Sequence, residues 1–244
     1  MESLVSPTTL VDQAYAVILD AICDGTLKPG ERLTQSEVAE RLNVSRQPIH
    51  NALLLLKAQG FVQETGRRGL CVAPLDPSLF EAIYQFRSAV EPLAVRLATA
   101  RMTPPDLARG QVWIELGTKA VKEQGGAAVR ADMAFHSWIY DLSGNTMIVE
   151  TMRLNWQHLR RAMGEVLRHP TLSTRVWNEH RAIVDTMAKG DAERAALMIG
   201  GHVMSAYEDV RTKLSAEPKT EVQGQTLALI GRQRRAPLGF LQSH

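Results

Sequence analysis

Three stretches of the sequence each place a metal-type ligand on an apolar helical face. Ala128, Asp132, Phe135, His136 and Ile139 fall at helical spacing, so a carboxylate and an imidazole lie one turn apart in an otherwise apolar stripe. His180 sits in the same way among Val176, Ile183, Val184 and Met187, and His202 lies between Met198 and Ala206. A carboxylate in such a stripe is costly unless a cation compensates it. One histidine on an apolar face is more often a hydrogen-bonded core residue than a ligand. Three histidines with an aspartate, each facing inward, reverse that balance, because facing helices of a bundle are where such sites are built. Three imidazoles and one carboxylate suit a divalent transition metal such as Zn, Ni, Mn or Fe. His50, His158, His169 and His244 do not share the pattern, and the neighbours Arg160 and Arg161 give His158 a polar face. Two arginines bear on the same chemistry. Arg87 stands i, i+4 from Glu91, a spacing that reads more readily as a surface bridge, and Arg160 poses the same choice. Turned inward, either fork would hold the carboxylate of a small molecule whose other end fills open metal positions.

The elements that must position these residues are helices. From Leu79 to Leu214 the periodicity is helical throughout, broken at Thr103-Pro-Pro105, Gly125-Gly126, Ser143-Gly144, His169-Pro170 and Gly190, which predicts about six helices in an all-α bundle. Pro74-Leu-Asp-Pro77 marks the boundary before it. Residues 76–214 are thus expected to form an all-α metal- and effector-binding domain, and residues 215–244, mixing Pro, Gly, Gln and Arg without period, a disordered tail. Nothing assigns a role to Arg232, Arg234 and Arg235 in that tail.

Residues 1–75 read differently. Helical spacing from Val11 to Cys23 stops at Gly25, and Leu27 to Leu33 reads as a turn around Pro29-Gly30. A second helix starts after Thr34, with Glu37 completing a capping box, and ends at Leu42. Asn43 tolerates the left-handed conformation of a tight helix-to-helix turn. Ser45 can cap the next helix, with Pro48 in its first turn, where a missing N–H costs little. Phe61 to Thr65 and Leu70 to Ala73 then read as a hairpin around Gly66-Arg67-Arg68-Gly69. The order predicts a winged helix-turn-helix, so the fold class is mainly α: an N-terminal winged helix-turn-helix followed by an all-α bundle.

Its charges fit double-stranded DNA. Residues 25–75 hold Lys28, Arg32, Arg41, Arg46, Lys57, Arg67 and Arg68 against Glu31, Glu37, Glu40 and Glu64. The helix from Ser45 to Lys57 is the recognition helix, which enters the major groove with its N-terminal residues at the base edges. Arg46 can bridge guanine O6 and N7, Gln47 can pair with adenine, and His50 offers a ring nitrogen one turn later. Arg67, Arg68 and Gly69 at the wing tip suit phosphates or the minor groove, and Arg32 suits phosphates.

Other classes are disfavoured. No apolar run reaches membrane-spanning length and Met-Glu-Ser-Leu-Val does not start a signal peptide, so a cytoplasmic location and no membrane partner are expected. Cys23 and Cys71, far apart and outside any CxxC, read as small buried hydrophobes.

Pro29-Gly-Glu-Arg-Leu33, Ala39-Glu-Arg-Leu-Asn-Val-Ser-Arg-Gln-Pro-Ile-His50 and Arg68-Gly69 resemble the DNA-binding domain of GntR-family transcription regulators. Asp132-Met-Ala-Phe-His136, Glu179-His180, Gly190-Asp191 and His202 resemble the FCD effector domain of that family's FadR-like subfamily. The resemblance implies a homodimer on a pseudo-palindromic operator, usually repressing genes for uptake or catabolism of a small organic acid. It also implies that Asp132, His136, His180 and His202 bind the metal, with the effector carboxylate coordinating it, and that Arg46 reads a base. The family pattern usually has arginine at the positions of Ser36 and His50, so the common family operator is not to be assumed for this chain. Asn43 replaces the usual turn glycine. Two other readings stand beside this one: a metal-dependent enzyme with Glu179 as a base by adjacency to His180, and a regulator whose metal is purely structural.

Overall fold

The computed structural model describes residues 9–66, 69–122, 127–166 and 170–216. The N-terminal head starts with α1 (Leu10–Cys23), which Thr9 and Asp12 close with reciprocal capping bonds. After β1 (Arg32–Leu33) come α2 (Gln35–Leu42) and α3 (Arg46–Ala58). Asn43 between them adopts the left-handed conformation, φ 52° and ψ 46°, and its N–H is taken up by the end of α2. Two capping expectations are corrected. Ser45 stands at the N-cap of α3 with extended backbone, yet its hydroxyl makes no capping bond. Thr34 does accept from the Glu37 N–H, but its hydroxyl also donates to the Glu37 carboxylate, which leaves the box one-sided.

The wing pairs β2 (Val62–Thr65) with β3 (Gly69–Val72), and β1 adds to the other edge of β3, giving the antiparallel order β1-β3-β2. β1 falls inside residues 27–33, where the sequence predicts only a turn. A two-residue strand has too little alternation to show itself. A buried cluster that includes Ile18, Ile49, Leu53, Leu56 and Phe61 holds α1, α3 and the wing together.

Among the described residues six helices follow: α4 (Pro77–Arg101), α5 (Pro104–Ala120), α6 (Ala127–Ser143), α7 (Thr146–Val166), α8 (Pro170–Ala188) and α9 (Ala192–Ala216). Asp76 caps α4 ahead of Pro77 at its first position. α9 runs past the expected end of the bundle, and the remainder of the expected tail lies outside the described residues. A second, larger apolar cluster fills the bundle. Gly117 on α5 is required by this packing: a Cβ there would meet the Trp177 ring at 2.0 Å. Among the described residues no helix is long and apolar enough to cross a membrane. Cys23 and Cys71 are buried and unpaired.

The outer side of α7 carries the head. His158 stacks on Phe61 at 4.2 Å and 7° between planes. The Arg161 guanidinium donates to the Ala73 carbonyl, Arg160 pairs with Asp20 of α1, and the Cys23 thiol donates to the Gln157 carbonyl at 3.5 Å. The polar face expected around His158 is therefore an interface: burial, aided by the nearby Arg161, pushes its imidazole below the ordinary value, although a bond to the Gln59 backbone pulls it up. Arg160 is spent on the same contact. The structure contradicts the expectation that it turns into the bundle to meet a ligand.

Candidate metal and nucleic-acid sites

Asp132 and His136 come from α6, His180 from α8 and His202 from α9, and one ligand atom of each lies within 4.8 Å of the others. All four are buried. Helical geometry explains the convergence: the i, i+4 pair on α6 points one way, and α8 and α9 pack so that their own inward histidines face it. Nε2 of His180 lies 3.1 Å from Nε2 of His202 and 3.6 Å from Oδ1 of Asp132. Two metal–nitrogen bonds of roughly 2.0–2.1 Å, meeting at about 90–110°, hold their nitrogens about 2.8–3.4 Å apart. The His180–His202 separation has that value. Both carboxylate oxygens of Asp132 are buried without a hydrogen-bond partner, as is Nδ1 of His180. Orphaned oxygens beside three imidazoles fit a cation, since a buried carboxylate without one is strongly disfavoured.

Electrostatics prepares the same chemistry. Burial, then the neighbouring His202, His136 and Arg87, hold the His180 imidazole well below its ordinary value, so it stays neutral and able to donate a lone pair. Phe135 stacks on it at 4.0 Å and Trp177 meets it edge-on at 4.8 Å.

The side chains around the tetrad include two carboxylates whose support of it the sequence reading missed. Glu91 and Arg87 are not a surface bridge: both side chains are 1% exposed, with Nε of Arg87 2.6 Å from Oε1 of Glu91. Tyr140 donates its hydroxyl to the same oxygen at 2.7 Å, and Oε2 lies 3.1 Å from Nδ1 of His136. Burial works to raise the Glu91 carboxyl, but Arg87 and His136 outweigh it and keep it charged, well below the usual carboxylate range. Glu179 lies 2.7 Å from Nδ1 of His202 through Oε2. Each carboxylate can thus fix the ring that presents Nε2 to the centre, a support metal-binding imidazoles commonly have. Helical spacing held the clue for Glu91, since Ile83, Tyr84, Arg87, Glu91, Ala94, Val95 and Ala98 share one buried stripe of α4. Nη2 of Arg87 stands 3.5 Å from Nε2 of His136, its Nη1 is buried without a partner, and the guanidinium carbon lies 4.7 Å from the Trp156 ring.

In the head, Ser45, Arg46 and Gln47 are exposed at the N-terminus of α3, and Arg32 is exposed on β1. Gln47 reaches Asn51 at 3.4 Å. His50 is half-buried, with Nδ1 3.0 Å from the side-chain amide of Gln35 on α2, so one ring nitrogen is engaged within the motif. Gly69 closes the wing opposite Thr65, where a Cβ would meet the Thr65 carbonyl oxygen at 2.7 Å. Arg67 and Arg68 lie outside the described residues, as do His169 and His244.

Comparison with known proteins agrees with both halves. Residues 10–72 match the model of the bacterial regulatory proteins of the gntR family, and residues 82–205 match the FCD domain. The Nta operon transcriptional regulator of Aminobacter aminovorans is 26% identical over 183 residues, spanning 75% of this chain and 86% of that protein. The Uxu operon transcriptional regulator of Escherichia coli is 27% identical over 238 residues, spanning 88% and 90%. The solved structure of E. coli McbR/YncC shares the fold, with a TM-score of 0.74 at 20% identity over 85% of this chain and all of that one. With its winged head and helical bundle, the chain belongs to the GntR family of DNA-binding transcription regulators, in the branch carrying an FCD domain, and not to a family of enzymes.

Proposed function

We propose that this regulator binds a divalent transition metal at Asp132, His136, His180 and His202, and that a small organic acid bound beside the metal sets its affinity for a pseudo-palindromic operator recognised by a homodimer. The convergence of four buried ligand atoms within 4.8 Å carries this reading. When bound, the metal supplies Lewis-acid positions that a carboxylate oxygen can fill. Arg87, whose Nη1 lacks a partner and whose Nη2 stands beside His136, is the residue to hold such a carboxylate. Exposed Arg46, Gln47 and Arg32 would carry the DNA contacts, with repression as the expected outcome of binding.

α7 supports a route between the two sites. Its Trp156 packs on Arg87 and, at 5.0 Å, on His136, while the next residues Gln157, His158, Arg160 and Arg161 hold the head. A ligand that shifts Arg87 would tilt this helix and change the spacing of the recognition helices, which must match the turn of DNA. The test is a footprint on the chain's own promoter region. It should show a discrete, salt-sensitive protected site that shifts in affinity when carboxylic acids are added to metal-loaded protein. Absence of protection at low salt contradicts the regulator's operator.

One observation favours a second reading, in which the metal is purely structural. The cavity touching Arg87, Asp132 and His202 is about 10 Å³, too small for an acid with the side chains as they stand. Chelation that unfolds the bundle, with organic acids leaving operator affinity untouched, would decide for it.

A further inference from the structure

This inference rests on the reading of the tetrad as a metal and acid site. The inner cavity of about 10 Å³ is bounded by Arg87, Asp132, His202 and Asp209. A second cavity, of about 700 Å³, lies in the cleft between α8 and α9, and His202 lines it as well. The partition between them is therefore thin. Besides His202 it includes an ion pair: Arg175 of α8, which lines the outer cleft, bonds through Nη2 to Asp209 of α9, which lines the inner cavity. Nη1 of Arg175 stands 3.3 Å from Glu179, the carboxylate that holds His202. The Arg175 side chain is 36% accessible, so an anion in the cleft can reach its fork without unfolding anything. Asn178 and Ser205 supply neutral hydrogen-bonding groups along the same wall.

We propose that the α8–α9 cleft binds a second anionic group of the effector, with Arg175 leaving Asp209 to hold it, and that the effector is a dicarboxylate or an equally dianionic organic acid. One end of such a molecule faces Arg87 and the tetrad and the other rests on Arg175. A guanidinium fork donates two parallel bonds to a carboxylate, and here the ligand's carboxylate replaces Asp209. Exchanging that partner joins the outer cleft to the inner cavity and supplies the room the inner one lacks.

The test is calorimetric titration of the full-length, metal-loaded protein with matched pairs: malonate and propionate, succinate and butyrate, glutarate and valerate. At least one dicarboxylate should bind about tenfold or more tightly than its partner, the scale of one charge-assisted contact. Arg175→Gln should abolish that gap when both proteins are compared at full metal occupancy, while monocarboxylates still bind the variant. Asp209→Asn, which frees Arg175, should keep the gap or widen it. Equal affinity within every pair in the wild type, or a full gap surviving in Arg175→Gln, overturns the inference and leaves the metal and acid reading standing. If no acid of either class binds the metal-loaded protein, the effector reading falls and this inference with it.

Discussion

At the level of single residues, the site depends on charges that have no water to fall back on. Arg87 and Glu91 are both 1% exposed, and removing one partner leaves the other as an unpaired buried ion. Glu91→Ala should cost about 3–5 kcal/mol of stability in chemical denaturation. It should also weaken metal binding by about 10–100-fold in competition with a chelator, because His136 loses the carboxylate beside Nδ1. A stable variant with unchanged metal affinity would show that Glu91 supports nothing. His158 makes a case for pH. Its imidazole is held below the ordinary value of 6.5, chiefly by burial against the head. The unfolded chain therefore binds a proton that the folded one resists, so this source costs nothing above the ordinary value and stability falls as pH drops through it. Compared with His158→Phe, which keeps a ring on Phe61, the wild type should lose ground progressively between pH 7.5 and 5.5, roughly the range of imidazole titration. A difference in unfolding free energy that is constant with pH would contradict that.

At the level of helices, α5 and α7 position what they do not contain. Gly117 leaves room for Trp177, whose edge packs against His180. Alanine is the better helix former by about 1 kcal/mol, but its Cβ would lie 2.0 Å from a Trp177 ring atom. Gly117→Ala should therefore destabilise, by about 1–3 kcal/mol, as overpacked cores do. A higher melting temperature would mean that Trp177 moves freely. The same elements show what was legible in the sequence. Asp132 and His136 stood out because a polar pair one turn apart interrupts an apolar stripe, and Asn43 because few residues take a left-handed turn. Glu91 did not, since i, i+4 spacing to Arg87 is the same on a surface and in a core; the surrounding Tyr84, Ala94 and Val95 make the difference. Arg160 and His158 were misplaced for a related reason. The periodicity of α7 tells which side is polar, and says nothing of whether a second folded unit covers it.

At the level of the whole molecule, a DNA-reading head and a ligand-type core are joined by one helix that touches both. α7 presents Trp156 to Arg87 and His136 on one side and His158 to Phe61 on the other. Such an arrangement transmits a signal if the core exists in two packings that a ligand can tell apart. The whole reading depends on a cation at the meeting point of α6, α8 and α9. The most direct measurement is elemental analysis of purified full-length protein, comparing the wild type with His180→Gln after both are dialysed against buffer containing trace divalent metal. The expected result is close to one transition-metal ion per chain in the wild type and almost none in the variant, with both still folded by circular dichroism. Metal-free wild type, or equal metal in the two proteins, would contradict it.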